Sequence, residues 1–167
     1  MTVWQTDRLS LNRWQQGDLP ALSNLLTHGA TMSHWPQPFT PQDVQDWLQR
    51  ALTPSTHGCA RWSCSRTADG ALIGDVGIVH TQILEETVFD LGYIIHEDFW
   101  RQGYGREAVC GAIAWAKGQG IGELVANMAL DNVPSWSLAE SVGMLRTSVF
   151  ANPKNRYKET YIYRLQL

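Results

Sequence analysis

Seven residues, His96-Glu97-Asp98-Phe99-Trp100-Arg101-Gln102, stand between a strand-like run over 86–95 and two glycines that open a helical pattern, and that spacing limits the folds open to the chain. Gly103 and Gly105 lie where loop becomes helix. Glycine lets a backbone turn tightly and lets a ligand approach it closely. The first N–H groups of a helix lack internal partners, and the helix dipole adds positive character there. Phosphates bind well to that combination, and Arg101 and Arg106 can add charge-assisted contacts. An ordinary glycine-punctuated loop would share the same residues. Gly103-Tyr104-Gly105-Arg106-Glu107-Ala108 also matches the dinucleotide pattern G-x-G-x-x-A, with Glu123 at roughly the distance of the ribose acid. That pattern needs its glycine directly after a strand, near the start of a βαβ array. The intervening loop and the hairpin-like region before it exclude that reading. The P-loop is excluded as well, because no Gly-Lys-Ser or Gly-Lys-Thr follows.

The elements around this loop follow from periodicity. Residues 3–13 alternate around Arg8, Leu9, Leu11 and Arg13 and predict one strand. Gly17 to His28 carries Leu19, Leu22, Leu25 and Leu26 at helical spacing. Thr40-Pro41-Gln42-Asp43 is a helix start, with a capping hydroxyl, a proline in the first turn and an acid three positions after the threonine. Val44, Trp47, Leu48 and Ala51 continue it as an apolar stripe. Strands are predicted over 59–66 and 71–80, flanking the hairpin signal Asp69-Gly70, and over 86–95. Then come a helix from Gly103 to Gln119, a strand over 123–129, a helix over 133–142 ending near Gly143, and strands over 144–150 and 156–166. This order is neither an alternating doubly wound pattern nor all-β.

Composition narrows the class of function. The 167 residues fit one domain, 1–167, able to bury a core without disulfides or structural metal. Hydrophobic residues make up 44% and charged residues 17%, which marks a globular chain. A net charge of −3 disfavours broad nucleic-acid binding and is compatible with a cationic acceptor. Cys59, Cys64 and Cys110 follow no zinc spacing, and the five histidines show no metal spacing, so no metal is expected. The polar N-terminus and the absence of a long apolar run predict a cytoplasmic chain with no membrane contact.

Four segments, in order along nearly the whole chain, resemble the GNAT N-acetyltransferases, most closely the branch of the ribosomal-protein N-terminal acetyltransferases RimJ and RimL. They are Thr6-Asp7-Arg8-Leu9-Ser10-Leu11, Asp90-Leu91-Gly92-Tyr93-Ile94-Ile95, Trp100-Arg101-Gln102-Gly103-Tyr104-Gly105, and Asp131-Asn132-Val133-Pro134-Ser135 followed by Val142-Gly143-Met144. The resemblance implies an α/β (α+β) fold: a mixed, mostly antiparallel sheet of about seven strands, flanked by about four helices and splayed where acetyl-CoA binds. It implies direct acetyl transfer to an amine. The pantetheine arm would run along Ile94 and Ile95, and the pyrophosphate would sit on the backbone of Gln102, Gly103, Tyr104, Gly105 and Arg106, with Arg101 beside it. Asn132 would hold the pantetheine amide, cap its helix, or do both. There are two departures from the family pattern. Trp100 occupies the first position of the loop pattern. Ala139 stands where the wider family often has a tyrosine general acid.

The chemistry adds its own demands. An amine attacks only when deprotonated; an α-amine has a pKa of about 7.7–8.0 and a lysine about 10.4. Glu86 and Asp90 alternate onto one strand face, opposite Phe89, Leu91 and Tyr93. Asp90 ranks first as base or amine-orienting group and Glu86 second; the alternative is that both are solvated. Ser135 would assist the leaving sulfur, or bond the backbone at a helix start. Cys110 is expected to be buried in its helix, not nucleophilic. The Trp35–Phe39 loop is the expected acceptor wall, His34 and His96 are weaker candidates to line it, and Lys154, Arg156 and Lys158 are expected at a solvated hairpin tip. The expected acceptor is a protein or peptide α-amine. A small amine (polyamine, amino acid or antibiotic) and a non-catalytic CoA-binding module remain as alternatives. The chain is expected to act as a monomer or homodimer.

Overall fold

A computed structural model describes residues 1–37, 39–53 and 55–167. One mixed sheet carries eight strands in the order β1-β2-β3-β4-β5-β6-β8-β7. They are β1 (Thr2–Gln5), β2 (Leu9–Arg13), β3 (Arg61–Arg66), β4 (Leu72–Ile83), β5 (Glu86–Ile95), β6 (Glu123–Ala129), β7 (Leu145–Asn152) and β8 (Lys158–Gln166). Four helices interrupt them: α1 (Leu19–Leu26), α2 (Pro41–Leu52), α3 (Tyr104–Gly118) and α4 (Val133–Ser141). Every neighbouring pair is antiparallel except β5 and β6, which run parallel.

The mixed, mostly antiparallel sheet and its four helices are as expected, and the eighth strand comes from the run over 3–13. The single run over 3–13 is a hairpin, because Thr6 N–H bonds Leu9 O at 2.9 Å and folds β1 back on β2. No glycine or asparagine announces this turn. Its threonine does the work from the side chain, accepting from Leu9 N–H at 3.2 Å while donating to Glu107 on α3 at 2.6 Å. The helical run from Gly17 opens as a 3-10 turn over Gln16–Asp18 before α1.

The helices cover both faces of the sheet. Alternation along β5 sends Leu91 and Ile94 to opposite sides. Leu91 joins the larger core with Leu9, Leu11, Trp62, Ala108, Ala112 and Ala116, beneath α3. Ile94 joins a second core with Leu22, Leu25 and Leu26 of α1 and Val44, Leu48 and Ala51 of α2. The spacing of those α2 residues puts them on one stripe. Thr40 caps α2 as the sequence predicts: its Oγ1 accepts from Asp43 N–H at 3.2 Å, and the Asp43 carboxylate accepts from Thr40 N–H at 2.8 Å. Among the described residues, no helix is long and apolar enough to cross a membrane.

Removing this cap tests how far α2 holds the second core. Thr40→Ala should lower unfolding free energy by about 1 kcal/mol, and Thr40→Ser should restore most of it. Urea denaturation gives both values, and an unchanged midpoint in the alanine variant would contradict the assignment.

Candidate active site

β5 and β6 are paired at a single register position, Asp90 opposite Val125. Beyond it they separate: β5 stays with β4 as far as Gly74↔Ile95, and β6 stays with β8 as far as Ala129↔Thr160. A side chain on Gly74 would collide with the Ile94 carbonyl, so that carbonyl is turned toward β4. Backbone groups alternate sides along a strand, so those of Tyr93 and Ile95 face the gap. The Ile95 carbonyl accepts from the Trp100 indole at 2.6 Å. The first turn of α4 closes the far side of the gap. Tyr93 donates its phenol O–H to Ser135 O at 2.7 Å, and Ser135 Oγ donates to the phenol oxygen at 3.2 Å. Burial pushes the Tyr93 phenol up to about 12, against the Ser135 hydrogen bond, so it stays neutral. Asn132 Oδ1 caps the helix by accepting from Ser135 N–H at 3.3 Å. Ser135 therefore bonds the helix start through its backbone and keeps its hydroxyl on the cleft side, beside Tyr93.

The glycine loop ends at α3 with Gly103 in the left-handed region (φ 82°) and no side-chain cap. The first main-chain bond of the helix runs from Glu107 N–H to Gly103 O at 3.1 Å. The amides of Tyr104, Gly105 and Arg106 precede it and have no partner inside the helix. Arg8 fixes the loop from behind, donating from Nη1 to Gln102 O at 3.1 Å and from Nε to Glu107 Oε2 at 2.7 Å. Burial favours protonation of Glu107, but the bonds from Thr6 and Arg8 outweigh it and hold the carboxyl below its usual range. Arg101, Gln102 and Arg106 are exposed, whereas the Tyr104 side chain is buried, so Tyr104 faces a ligand only through its amide. Gly105 has a packing role: a Cβ there would sit 2.9 Å from Leu138 Cδ1 of α4.

A cleft of about 750 Å³ opens beside the gap, lined among others by His34, Trp35, Arg61, Asp90, Tyr93, Asn127, Asn132 and Ser135. Asp90 is half-buried and accepts from Asn127 Nδ2 at 3.1 Å. Burial raises its carboxyl to about 6, against the opposing pull of Arg61, Asn127 and Lys154. Glu86 lies elsewhere, at the hairpin end of β5, about 13 Å away by strand rise, exposed and bonded to Arg164 at 2.5 Å. The structure thus separates the two candidate acids and keeps only Asp90 in the cleft. Trp35 and Pro36 line the cleft as the sequence suggests; Pro38 of that loop lies outside the described residues. His96 stands apart, its ring 4.4 Å from that of His28. Lys154 is exposed in the turn between β7 and β8, as expected of a solvated tip, and from there it also borders the cleft.

The cysteines need one correction. Cys110 is exposed, because its position on α3 turns it away from the core face of Ala108, Ala112 and Ala116. Cys59 and Cys64 are buried, and burial pushes their thiols up to about 11 and about 12, so neither supplies a thiolate. Among the described residues, no group of His, Cys, Asp and Glu is placed to hold a metal ion.

Sequence reasoning missed Arg61, Asp75, Asn127 and the role of Tyr93. Asp75 is fully buried; it accepts from Trp14 Nε1 at 2.7 Å and pairs with Arg61 Nε. These contacts join β3, β4 and the segment after β2, and no local spacing signals them.

The model of the acetyltransferase (GNAT) domain matches residues 8–145. The chain belongs to the GNAT acetyltransferase family. It is 25% identical over 142 residues to the uncharacterized protein YkkB of Bacillus subtilis, covering 83% of each chain. An acetyltransferase from Agrobacterium tumefaciens has the same fold, with a TM-score of 0.83 at 22% identity over 98% of this chain and 94% of that one. So does RimL, a ribosomal L7/L12 α-N-protein acetyltransferase solved with coenzyme A, with a TM-score of 0.80 at 13% identity over 100% and 98%.

This GNAT chain is accordingly an acetyl-CoA-dependent N-acetyltransferase. Its residues fit the cosubstrate on two observations already given: an uncapped helix start at Gly103, and a strand edge opened between β5 and β6. Ala139, at the position of the wider family's tyrosine, is fully buried and contributes no proton.

The two glycines should fail differently. A residue with a Cβ at a left-handed position costs about 1–2 kcal/mol. Gly103→Ala should therefore weaken acetyl-CoA binding about tenfold by calorimetry, with a small loss of Tm. Gly105→Val should mainly lower Tm, because its side chain meets Leu138. The opposite ranking would overturn the separation of roles.

Proposed function

We propose that the single domain 1–167 acetylates the α-amine of a peptide or protein N-terminus, with Asp90 as the group that orients and deprotonates it. The observation that carries this reading is the half-buried Asp90 carboxyl, bonded by Asn127 and raised to about 6, in the cleft that Ser135 also lines. Taking a proton from an α-ammonium of pKa about 8 is uphill by about two units, about 3 kcal/mol. Taking one from a lysine of pKa about 10.4 is uphill by more than four units, about 6 kcal/mol. The smaller gap suits this base. The resemblance of Asp90-Leu91-Gly92-Tyr93 and Asn132-Val133-Pro134-Ser135 to the RimJ and RimL branch points the same way.

Acetyl-CoA supplies the acetyl group as a thioester. Amides of Gln102 to Arg106 take its pyrophosphate, with Arg101 at the rim. The gap-facing groups of Tyr93 and Ile95 pair with its amide-bearing arm, and Ile94 backs the strand from the second core. Asn132 keeps its Oδ1 on the helix cap and turns its Nδ2 to the arm. Asp90 holds the amine, with Asn127 fixing the carboxylate, and receives a proton as the amine attacks. Ser135 turns its hydroxyl proton from the Tyr93 phenol oxygen, where it rests without ligand, to the departing sulfur and donates a hydrogen bond to it. A thiolate is a fair leaving group, so the serine assists without being indispensable. Holding both substrates in one cleft supplies much of the acceleration by proximity, and no acetyl-enzyme forms.

Asp90 gives the test a sign in two directions. Its folded pKa of about 6 lies above the ordinary 3.8. The folded state therefore binds more protons between these values, stability falls as pH rises through that window, and the ionised group costs about 3 kcal/mol above it. Asp90→Asn should lower kcat/KM for a peptide α-amine about 10- to 100-fold at pH 7, with the deficit shrinking above pH 9, where the amine is already neutral. The same variant should melt higher than wild type at pH 7.5 and match it at pH 4. Unchanged rates with raised stability would show Asp90 to be structural. An acceptor screen by free-thiol release that finds only polyamines or antibiotics would overturn the acceptor.

A further inference from the structure

Arg61 enters the cleft floor from β3 with its guanidinium already fixed. Its Nε pairs with the buried Asp75 carboxylate, and its Nη2 donates to Asp75 O at 3.2 Å. Asp75 is itself held by Trp14, and the Trp47 ring centre lies 4.9 Å from the guanidinium carbon. The remaining fork atom, Nη1, has no hydrogen-bond partner among the described residues. It occupies the space above Gly92 that a side chain would fill, since a Cβ there would collide with it. Gly92 and Asp90 point to the same face of β5, and their Cα atoms are about 7 Å apart. A carboxylate from β5 and an open guanidinium N–H from β3 therefore stand over the same face of β5, and both residues line the cleft.

That spacing has a chemical complement. In an α-aminoacyl group, the amine nitrogen and the oxygen on the next carbon lie about 3 Å apart, by standard bond lengths. With one hydrogen bond of about 2.9 Å at each end, such a group can bridge a carboxylate and a guanidinium up to about 9 Å apart, which covers side chains standing over neighbouring same-face positions about 7 Å apart. Resting on the reading of an α-amine acceptor, we infer that Arg61 Nη1 binds the carbonyl or carboxylate oxygen beside the acceptor amine, which makes Arg61 the residue that selects α-aminoacyl acceptors. A polyamine puts methylenes or a second ammonium against the same guanidinium and loses the bond. Because Asp75 and Trp47 hold the fork before the acceptor arrives, little side-chain freedom remains to be lost on binding.

Gly92→Ala tests this mildly, because its methyl displaces only the far end of a long side chain and leaves the Arg61 Nε–Asp75 pair in place. Removing the guanidinium outright would strand a buried carboxylate. Each acceptor serves as its own control: an alanine-initiated tripeptide, alanine amide, free alanine, and isopropylamine, which lacks the oxygen. The variant should lower kcat/KM about tenfold for the oxygen-bearing acceptors, the scale of one charge-assisted hydrogen bond, chiefly through KM. Isopropylamine turnover and acetyl-CoA affinity by calorimetry should stay within about twofold. Equal losses for tripeptide, amide and free alanine identify the shared oxygen as the feature read, and a loss confined to free alanine identifies a carboxylate; both support the assignment. Equal effects on isopropylamine and the tripeptide, or no effect on any acceptor, would overturn it while leaving α-amine transfer intact. If a panel of tripeptides covering the possible N-terminal residues, alanine amide and free alanine are all refused by the wild-type enzyme while polyamines are acetylated, both readings fall.

Discussion

β5 and β6 share one register position and then part, and the geometry of the cleft follows from that parting. Each strand is secured on its outer side, β5 to β4 over ten register positions and β6 to β8 over seven, so the sheet survives without an inner ladder. The parting leaves main-chain groups of Tyr93 and Ile95 without strand partners. Buried groups of that kind are costly unless something pairs with them. Part of the need is met internally, because Trp100 donates its indole N–H to Ile95 O and Tyr93 reaches across to Ser135 O. A ligand that carries amides can meet the rest, and the opened strand edge is in that sense an unfinished sheet.

The two edges of the gap are fixed by different physics. On the α4 side the Tyr93–Ser135 bonds are neutral, short in reach and set over the cleft. On the α3 side the anchor is ionic, with Arg8 tied to Glu107 and to the Gln102 carbonyl. That pairing matters for anion binding. Glu107 compensates the charge of Arg8, so on the proposed binding mode attraction for a pyrophosphate would come from the first-turn amides and the helix dipole, with Arg101 and Arg106 adding from the exposed rim. On that binding mode the loop tolerates Trp100 at its first position, because the proposed phosphate contacts are backbone and the tryptophan side chain is occupied with Ile95.

What the sequence made legible divides along the same line. Local rules located α2 through the Thr40–Asp43 box, ended α4 at Gly143 (φ 90°) and set the bounds of β5 and β6. The glycine turn and the helix start after it were readable because a left-handed residue at an uncapped helix start favours glycine, which is visible in one dimension. The β1–β2 turn was not, since its threonine closes it with help from Glu107, 101 positions away in the chain. Arg61, Asp75 and Asn127 were invisible for the same reason: each acts through partners on other strands. Tyr93 was read as part of an apolar face, correctly for its ring, which packs against the larger core, but without its hydroxyl. Cys110 went wrong because a small residue inside a helix has no preferred face until the neighbouring sheet is in place.

Asp90 shows how those unseen partners tune a site. Burial alone would push its carboxyl far up and leave it protonated at neutral pH, where it could not accept a proton. Arg61 and Asn127 alone would hold it low, where it would always be ionised but would be a feeble base. Set against each other, they leave it near 6, ionised at pH 7 yet roughly two units more basic than a free aspartate. The same guanidinium that moderates Asp90 also presents Nη1 over Gly92, so one buried pair, Arg61 with Asp75, serves both the proposed base and the proposed acceptor contact. Buried ion pairs of this kind rarely stabilise a fold better than apolar residues of similar volume would. On these proposals, function gives the reason for a charged pair in the core between β3 and β4.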